Sequence, residues 1–251
     1  MKNIIPDIYL YCDGWCDKCG YSSVCEVNTS HDDRNNLTLH DENNLKFWSD
    51  FMKDLIEIKD SVISLGDKEN VDWNDYDGIQ RRTRHDLFQG KKVVGDLLPA
   101  GRLYEDFVDD WIDAMGENGK IVVDNNVSPP EFKVSEKYNS LKNIDKINNS
   151  IGILIYYQLK IYLKLSRTLY TSSKEKDDDN SDLPSSNGTA KTLIEMLERS
   201  LVSWFNIYDA FGDEASGIEK KAMIHLIKLI KNIEKDFPDA RDYIRPGFDE
   251  L

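Results

Sequence analysis

The sequence has no apolar run long enough to span a membrane. Its longest mainly apolar stretch is IGILIYYQLKIYLKL, residues 151–165, which two lysines interrupt, whereas a spanning helix needs about 20 apolar residues. The apolar residues ahead of Cys12 are broken by Pro6 and Asp7, which is not the pattern of a signal-peptide core. We therefore expect a cytoplasmic protein.

Basic residues are scarce relative to acidic ones. The chain has 32 Lys and Arg against 46 Asp and Glu, which gives a net charge of −14. A surface of this charge repels nucleic-acid phosphates and anionic lipids, so we expect neither nucleic acid nor membrane as a partner. The 40% hydrophobic content is ordinary for a soluble globular chain, and we expect the partner to be a protein.

Several common catalytic signatures are also missing. The sequence contains no glycine-rich phosphate loop, no G-x-S-x-G turn and no H-E-x-x-H pair, which mark large classes of enzymes. We therefore expect a protein without catalytic activity. An enzyme with a pocket among its helices is the less favoured alternative.

Cysteine is absent after residue 25, and all cysteines of the chain lie in YCDGWCDKCGYSSVC. Their spacing is C-x3-C-x2-C-x5-C, and the four residues are Cys12, Cys16, Cys19 and Cys25. In a reducing compartment clustered cysteines favour metal over disulfides. Four thiolates this close in sequence can surround one zinc ion or one iron–sulfur cubane.

The residues between the cysteines also fit a metal site. Gly14 and Gly20 supply the backbone freedom that sharp turns between ligands require. Trp15 and Tyr21 are placed to shield the site from water. The sequence therefore predicts a metal centre in this segment.

Parts of the segment resemble known metal sites. The first three cysteines, in CDGWCDKC, resemble the motif of radical S-adenosylmethionine enzymes, although Lys18 stands where that family usually has an aromatic residue. That family has a β/α barrel after the motif, whereas this chain continues with helical patterns, so we do not expect a radical enzyme. The last three, in CDKCGYSSVC, are similar to the auxiliary iron–sulfur domains of some of those enzymes, which carry further cysteines absent here. The whole cluster is also similar to the structural zinc lobe of medium-chain alcohol dehydrogenases.

The spacing favours a [4Fe–4S] cluster over zinc. Zinc sites more often use two C-x2-C pairs separated by a longer gap, whereas unequal short gaps are common around cubanes. We therefore predict that the four cysteines ligate a [4Fe–4S] cluster with an electron-transfer or redox-sensing role. The alternative is one Zn²⁺ that staples the N-terminal segment to a helical protein-interaction module.

Beyond residue 40 the apolar residues recur at helical spacing. This periodicity predicts a helix over 41–65, one from Pro99 onward, one over 135–172, and two more near the C-terminus. The apolar stretch 151–165 predicts that the third of these is the central helix, and KIVV at 120–123 predicts a short strand.

The fold class that follows is all-α. We expect a bundle of about five helices with a short irregular four-cysteine segment packed on it. Residues 1–40 are predicted to be that metal-binding segment and residues 41–251 the bundle, as a single domain overall. A flexible polar insert is predicted near 172–189, where SSKEKDDDNSDLPSSNG is rich in charged and small residues.

A basic run interrupts this acidic sequence at RRTRHDLFQGKK. Its Arg81, Arg82, Arg84 and His85 form a candidate site for an anion or an acidic partner, because arginine forks bind such groups well. The alternative, which we favour, is that they pair with carboxylates of neighbouring helices.

Overall fold

The computed structural model describes residues 4–28, 34–73, 97–124, 131–138, 140–176 and 184–249. Most of these residues are helical. The α-helices are α1 (Arg34–Met52), α2 (Leu55–Lys68), α3 (Leu97–Glu117), α4 (Ile144–Lys176), α5 (Ser186–Phe211) and α6 (Ile218–Asp236). The strands β1 (Ile121–Asp124) and β2 (Glu131–Val134) form one antiparallel pair in the described part of the chain.

The helices pack on one another around a shared apolar core. Helix α5 packs against α4 and α6, and α3 packs against α4 and α6. Helix α3 illustrates how each helix faces this core. Its Tyr104, Val108, Trp111 and Met115 recur at helical spacing and are fully buried. The predicted mainly helical class is confirmed, and the packing agrees with a helical bundle.

The most buried helix is α5, which corrects the prediction that 151–165 lies in the central one. Helix α4 does carry a buried face, but its Leu159, Leu163 and Tyr170 are about half exposed, at 46%, 52% and 55%. Helix α5 buries residues on most of its circumference, and the stripe through Lys191, Glu195 and Arg199 is half-buried. The two helices lie side by side, and α5 is the one enclosed by the others.

Two predicted helices begin or end elsewhere in the structure. The segment 41–65 is divided between α1 and α2, with the break at Lys53 and Asp54, where no proline or glycine marks it. The helix predicted over 135–172 begins only at Ile144. It follows Asn143, whose φ of 60° interrupts regular helical geometry.

The residues before Ile144 belong to the small sheet and the turn that follows it. Ile121 pairs with Val134 at one end of the ladder, and both are buried. A 3₁₀ turn at Glu136–Tyr138 follows. The short strand predicted from KIVV is therefore confirmed as β1, whereas its partner β2 was not predicted.

Other predictions fall at the edge of the described residues or beyond it. Helices α4 and α5 extend into both ends of the predicted polar insert, to Lys176 and from Ser186, and residues 177–183 lie outside the described part. The basic run with Arg81, Arg82, Arg84 and His85 also lies outside it. Within the described residues no helix combines the length and apolar character needed to cross a membrane.

Candidate metal centre

Residues 4–28 form a compact segment, called here the cysteine lobe. It consists of three short 3₁₀ turns, Ile8–Tyr11, Cys16–Lys18 and Ser22–Val24. Cys12, Cys19 and Cys25 each follow one of these turns directly, and Cys16 begins the second. The cysteines thus lie at the ends of short turns that pack into one small lobe.

All four cysteines line one cavity at the surface of the lobe. The cavity offers about 30 Å³ of room to water-sized molecules, within about 340 Å³ of empty space that includes its open mouth. Trp15 and Tyr21 line it as well, in keeping with their predicted shielding role. Cys16 is exposed, the other three cysteines are half-buried, and all four are free thiols.

A backbone N–H group is directed at one of the sulfurs. The Tyr21 N–H donates a hydrogen bond to Cys19 Sγ at 3.4 Å, and the backbone of Gly14 partly offsets the rise that burial causes in the pKa of the Cys12 thiol. Gly14 has a φ of 79°, a conformation that glycine adopts without strain. N–H donors of this kind stabilise the negative charge of a thiolate ligand and tune metal–sulfur centres.

In the absence of a metal, however, the cysteine thiols are difficult to deprotonate. Burial raises the pKa of Cys19 to about 12. Burial also raises the pKa of Cys12 and of Cys16, and a charge on Cys25 raises the pKa of Cys16 further. A bound metal reverses this preference, because the thiolate is the form that coordinates it.

The described residues contain no group of three or more His, Cys, Asp or Glu side chains arranged to hold a single metal ion. The four cysteines share one cavity, but no three of them form such a group. A tetrahedral zinc site has Zn–S bonds of about 2.3 Å, which puts its sulfurs within about 4 Å of one another.

Helix α1 holds the cysteine lobe through its backbone carbonyls. Asn44 Nδ2 donates to the carbonyl oxygens of Asp17 and Cys19, at 3.1 and 3.0 Å. Trp48 Nε1 donates to the carbonyl oxygen of Lys18 at 2.8 Å. These bonds fix the turn that carries the second and third cysteines.

A buried ion pair holds the lobe to α5 next to the first cysteine. Arg199 Nη1 donates to Asp13 Oδ2 at 2.6 Å, and the Tyr157 hydroxyl donates to the same oxygen at 2.5 Å. Trp15 adds apolar contact, because its ring stacks on that of Tyr156 with centroids 3.9 Å apart. The lobe is thus attached to α4 and α5 on both sides of Gly14.

The C-terminal segment, residues 237–249, closes over the other side of the lobe. The Tyr21 hydroxyl donates to the carbonyl oxygen of Phe248 at 3.1 Å, and their rings meet edge to face. Tyr11 packs with Tyr243. The carbonyl oxygen of Tyr11 accepts a 2.6 Å hydrogen bond from the Thr192 hydroxyl. The two ends of the described chain therefore meet at the candidate centre.

Sequence reasoning identified the cysteines and their aromatic neighbours but missed the anchoring residues. Asn44, Trp48 and Arg199 lie far along the chain from the lobe, and a single sequence carries no signal that pairs them with it. Of these anchoring residues, Asp13 alone lies inside the cysteine motif, so it alone could have been noticed from the sequence around the cysteines.

Comparison with known proteins identifies no family for this chain. No protein-family model matches it, and no curated protein or solved structure does so either. Its chemistry has to be interpreted from the arrangement of its own residues.

Proposed function

We propose that this chain is a non-catalytic iron–sulfur protein whose four cysteines ligate one [4Fe–4S] cluster. The observation that carries the proposal is the shared cavity: Cys12, Cys16, Cys19 and Cys25 all line it. The cluster would carry electrons or sense redox state, and its partner would be another protein. The proposal keeps the cytoplasmic setting expected from the sequence.

The unequal short gaps between the cysteines favour a cluster over a single ion. A cubane presents four separate iron corners to its ligands, so its thiolates stand farther apart than those of one zinc ion. All four thiols line one space, as the ligands of one cluster must. The exposed Cys16 and the open mouth leave room for it to extend outward.

The surroundings of the cavity support a redox role. The Tyr21 N–H donates to Cys19, and such bonds raise the reduction potential of a cluster by stabilising added negative charge. The partly exposed cavity also leaves a short path to the surface, where a redox partner can approach. Helices anchor the lobe and would limit its rearrangement during electron transfer.

The zinc alternative uses the same four ligands and has one observation in its favour. The cysteine lobe contacts α1, α4, α5 and the C-terminal segment, so a metal that stiffens it would connect distant parts of the chain. In that case the metal would act as a structural staple, and function would lie on the helical surface.

Metal analysis of protein purified without oxygen tests the proposal. We expect about four irons and four sulfides per chain, with broad visible absorption and a reversible redox transition. Cys25→Ser should lower the iron content strongly. The control Val27→Ser introduces the same residue at a position that is 59% exposed and should leave the iron content unchanged.

If metal analysis finds one zinc per chain and the protein is colourless, the cysteines hold a structural zinc ion and the cluster proposal fails. If neither metal is retained, and Cys25→Ser behaves like Val27→Ser, both metal proposals fail.

A further inference from the structure

A second cavity lies between the cysteine lobe and helices α1 and α5. It offers about 220 Å³ of room to water-sized molecules, enough for several waters or one small ligand. Its walls come from the lobe, both helices and the C-terminal segment. The polar and aromatic side chains that matter for binding are Lys18, Tyr21, Trp48, Glu195, Arg199 and Arg245.

The acidic side chains of this cavity are already neutralised by protein partners. Glu195 accepts two hydrogen bonds from Arg245, at 2.8 and 2.7 Å. Asp249 accepts from Arg245 at 3.0 Å and from Lys191 at 2.9 Å. Neither carboxylate is left to attract a cation into the cavity.

Arg199, in contrast, has donors to spare. Its Nη1 is bonded to Asp13 and to the Tyr157 hydroxyl. Within the described part of the chain, neither its Nε nor its Nη2 has an acceptor. These two N–H groups lie on one edge of the guanidinium and form the parallel fork that matches a carboxylate.

Arg199 lines this semi-enclosed cavity and is held in a fixed plane. The side chain is only 19% exposed, and its guanidinium lies 3.9 Å from the ring centre of Trp48. Packing on an aromatic face fixes the plane of the guanidinium. A donor fork held in this way is pre-organised for a ligand, which lowers the entropic cost of binding.

Lys18 adds a positive charge at the same cavity. Its ammonium lies 4.4 Å from the ring centre of Phe47, and among the residues that the structure describes it has no carboxylate partner within ion-pair distance. The residues that line the cavity include three cations, Lys18, Arg199 and Arg245, and three anions, Asp13, Glu195 and Asp249, so the lining is neutral in a chain whose net charge is −14. The unpaired ammonium of Lys18 and the free edge of Arg199 favour an anionic ligand.

The remaining walls are aromatic. Tyr21 and Phe248 line the cavity with their rings in edge-to-face contact, 4.9 Å between centroids, and Trp48 lies on the α1 side. Aromatic walls favour a flat ring over a branched or strongly hydrated ligand. Leu45 stands beside them and is 44% exposed.

From these contacts we infer that the second cavity binds a small aromatic carboxylate. The carboxylate accepts both hydrogen bonds from the Nε and Nη2 edge of Arg199, and the ring lies among Tyr21, Trp48 and Phe248. This site does not depend on the iron–sulfur proposal, because the groups that contact the ligand are protein side chains and not the metal centre. Cys12 and Cys19 also line this cavity, so the ligand lies next to the candidate metal centre.

Calorimetric titration of the full chain, purified without oxygen or chelator, tests the inference with three probes. Benzoate is expected to bind. Benzamide, which has the ring without the charge, should bind at least about tenfold more weakly, since it forms no charge-assisted fork. Acetate should also bind more weakly, because it lacks the ring.

Two variants locate the site. Arg199→Lys keeps a positive charge beside Asp13 but loses the fork, and should weaken benzoate binding about tenfold. Since this change also alters the anchor of the lobe, Leu45→Trp provides a second route: it fills part of the cavity, keeps Arg199 and its partner Asp13 in the sequence, and should weaken binding as well. Arg241→Lys, which affects an arginine paired with Glu198 and Glu234, is the matched control and should bind as the parent does.

Three results would overturn the inference. The first is the absence of binding heat with benzoate, which would leave a water-filled cavity. The second is equal affinity for benzoate and benzamide. The third is parental affinity in both Arg199→Lys and Leu45→Trp.

Discussion

Arg199 in α5 donates a 2.6 Å hydrogen bond to Asp13, the residue that follows the first cysteine. Both side chains are largely buried, with 14% of Asp13 and 19% of Arg199 exposed. The Tyr157 hydroxyl bonds to the same carboxylate oxygen and accepts from Arg199 at 2.8 Å. The three groups form a closed network, in which each fixes the orientation of the other two. The most enclosed helix thus sets the position of Cys12 before any metal binds.

Breaking this network should weaken the fold. Asp13→Asn removes the carboxylate that pairs with the buried Arg199, and we expect the free energy of unfolding to fall by about 3 kcal/mol. Urea denaturation of the parent and the variant measures the change. Asp17→Asn, which alters an exposed acid in the same lobe, is the control and should change stability by less than about 0.5 kcal/mol. Equal losses in the two variants would mean that the ion pair contributes nothing specific.

The apolar periodicity of the sequence predicts α3 from Pro99 onward, and the residues at this spacing form its buried face. The same reasoning failed to find the most enclosed helix. Helix α5 buries Ser200 and Ser203, whose hydroxyls bond back to carbonyl oxygens one turn earlier, at 3.0 and 2.8 Å. Hydroxyl groups satisfied in this way tolerate burial, although they count as polar in a hydrophobicity pattern.

The helix boundaries were missed for a different reason. The break between α1 and α2 has no glycine or proline, and the apolar spacing continues across it, so only tertiary packing determines where the chain turns. The start of α4 depends on Asn143 in a left-handed conformation, which asparagine adopts more readily than most residues. That preference is too common in turns to locate a helix start.

The candidate site was predictable only as far as its residues are adjacent in sequence. Short gaps between the cysteines force them into one small region, and the structure places all four around one cavity. Asn44 and Arg199 have no such constraint. In the sequence they have the pattern of solvated polar residues on a helix, and only the folded chain shows which carbonyl oxygens and which carboxylate they reach.

Trp15 is expected to be the main apolar anchor of the cysteine lobe. Its ring stacks on Tyr156 and meets Trp48 and Tyr157 edge to face, at 6.2 and 5.8 Å between centroids. Trp15→Leu should destabilise the lobe by about 2 kcal/mol. Hydrogen exchange should therefore accelerate in residues 4–28 and stay slow in α5. Tyr9→Leu, at a residue that is 38% exposed, should leave both rates as they are, and uniform acceleration along the chain would contradict a local role for Trp15.

Gly188 in the first turns of α5 should not tolerate a methyl group. A Cβ placed there would overlap the ring of Tyr11 and come within 2.7 Å of the ring of Tyr243. Gly188→Ala should therefore lower the melting temperature, despite the better helix propensity of alanine. Gly152 in α4 provides the opposite case, because a Cβ there would meet nothing within 4 Å. Gly152→Ala should raise stability by up to about 1 kcal/mol, and the pair of variants separates packing from propensity.

His225 in α6 should make the stability of the fold dependent on pH. Its Nε2 lies 2.8 Å from the carbonyl oxygen of Ala100, which can only accept, so the neutral ring carries its proton on Nε2. Burial lowers the pKa of His225 from the ordinary value of 6.5 to about 4. Between these values the unfolded chain binds a proton that the folded chain does not. The contribution of the neutral ring is thus fully present above pH 6.5 and is lost as the pH falls towards 4.

The full loss corresponds to about 3 kcal/mol, from about 1.4 kcal/mol for each pH unit between the two pKa values. Urea denaturation at several pH values between 4 and 7 measures it. His225→Gln keeps an N–H donor for the Ala100 carbonyl but cannot titrate, so its stability should fall less steeply with acid than that of the parent. His40→Gln removes an exposed histidine and should keep the parental slope. If His225→Gln keeps it too, the acid sensitivity of this fold has another origin, because no proton would then be taken up at the buried ring on unfolding.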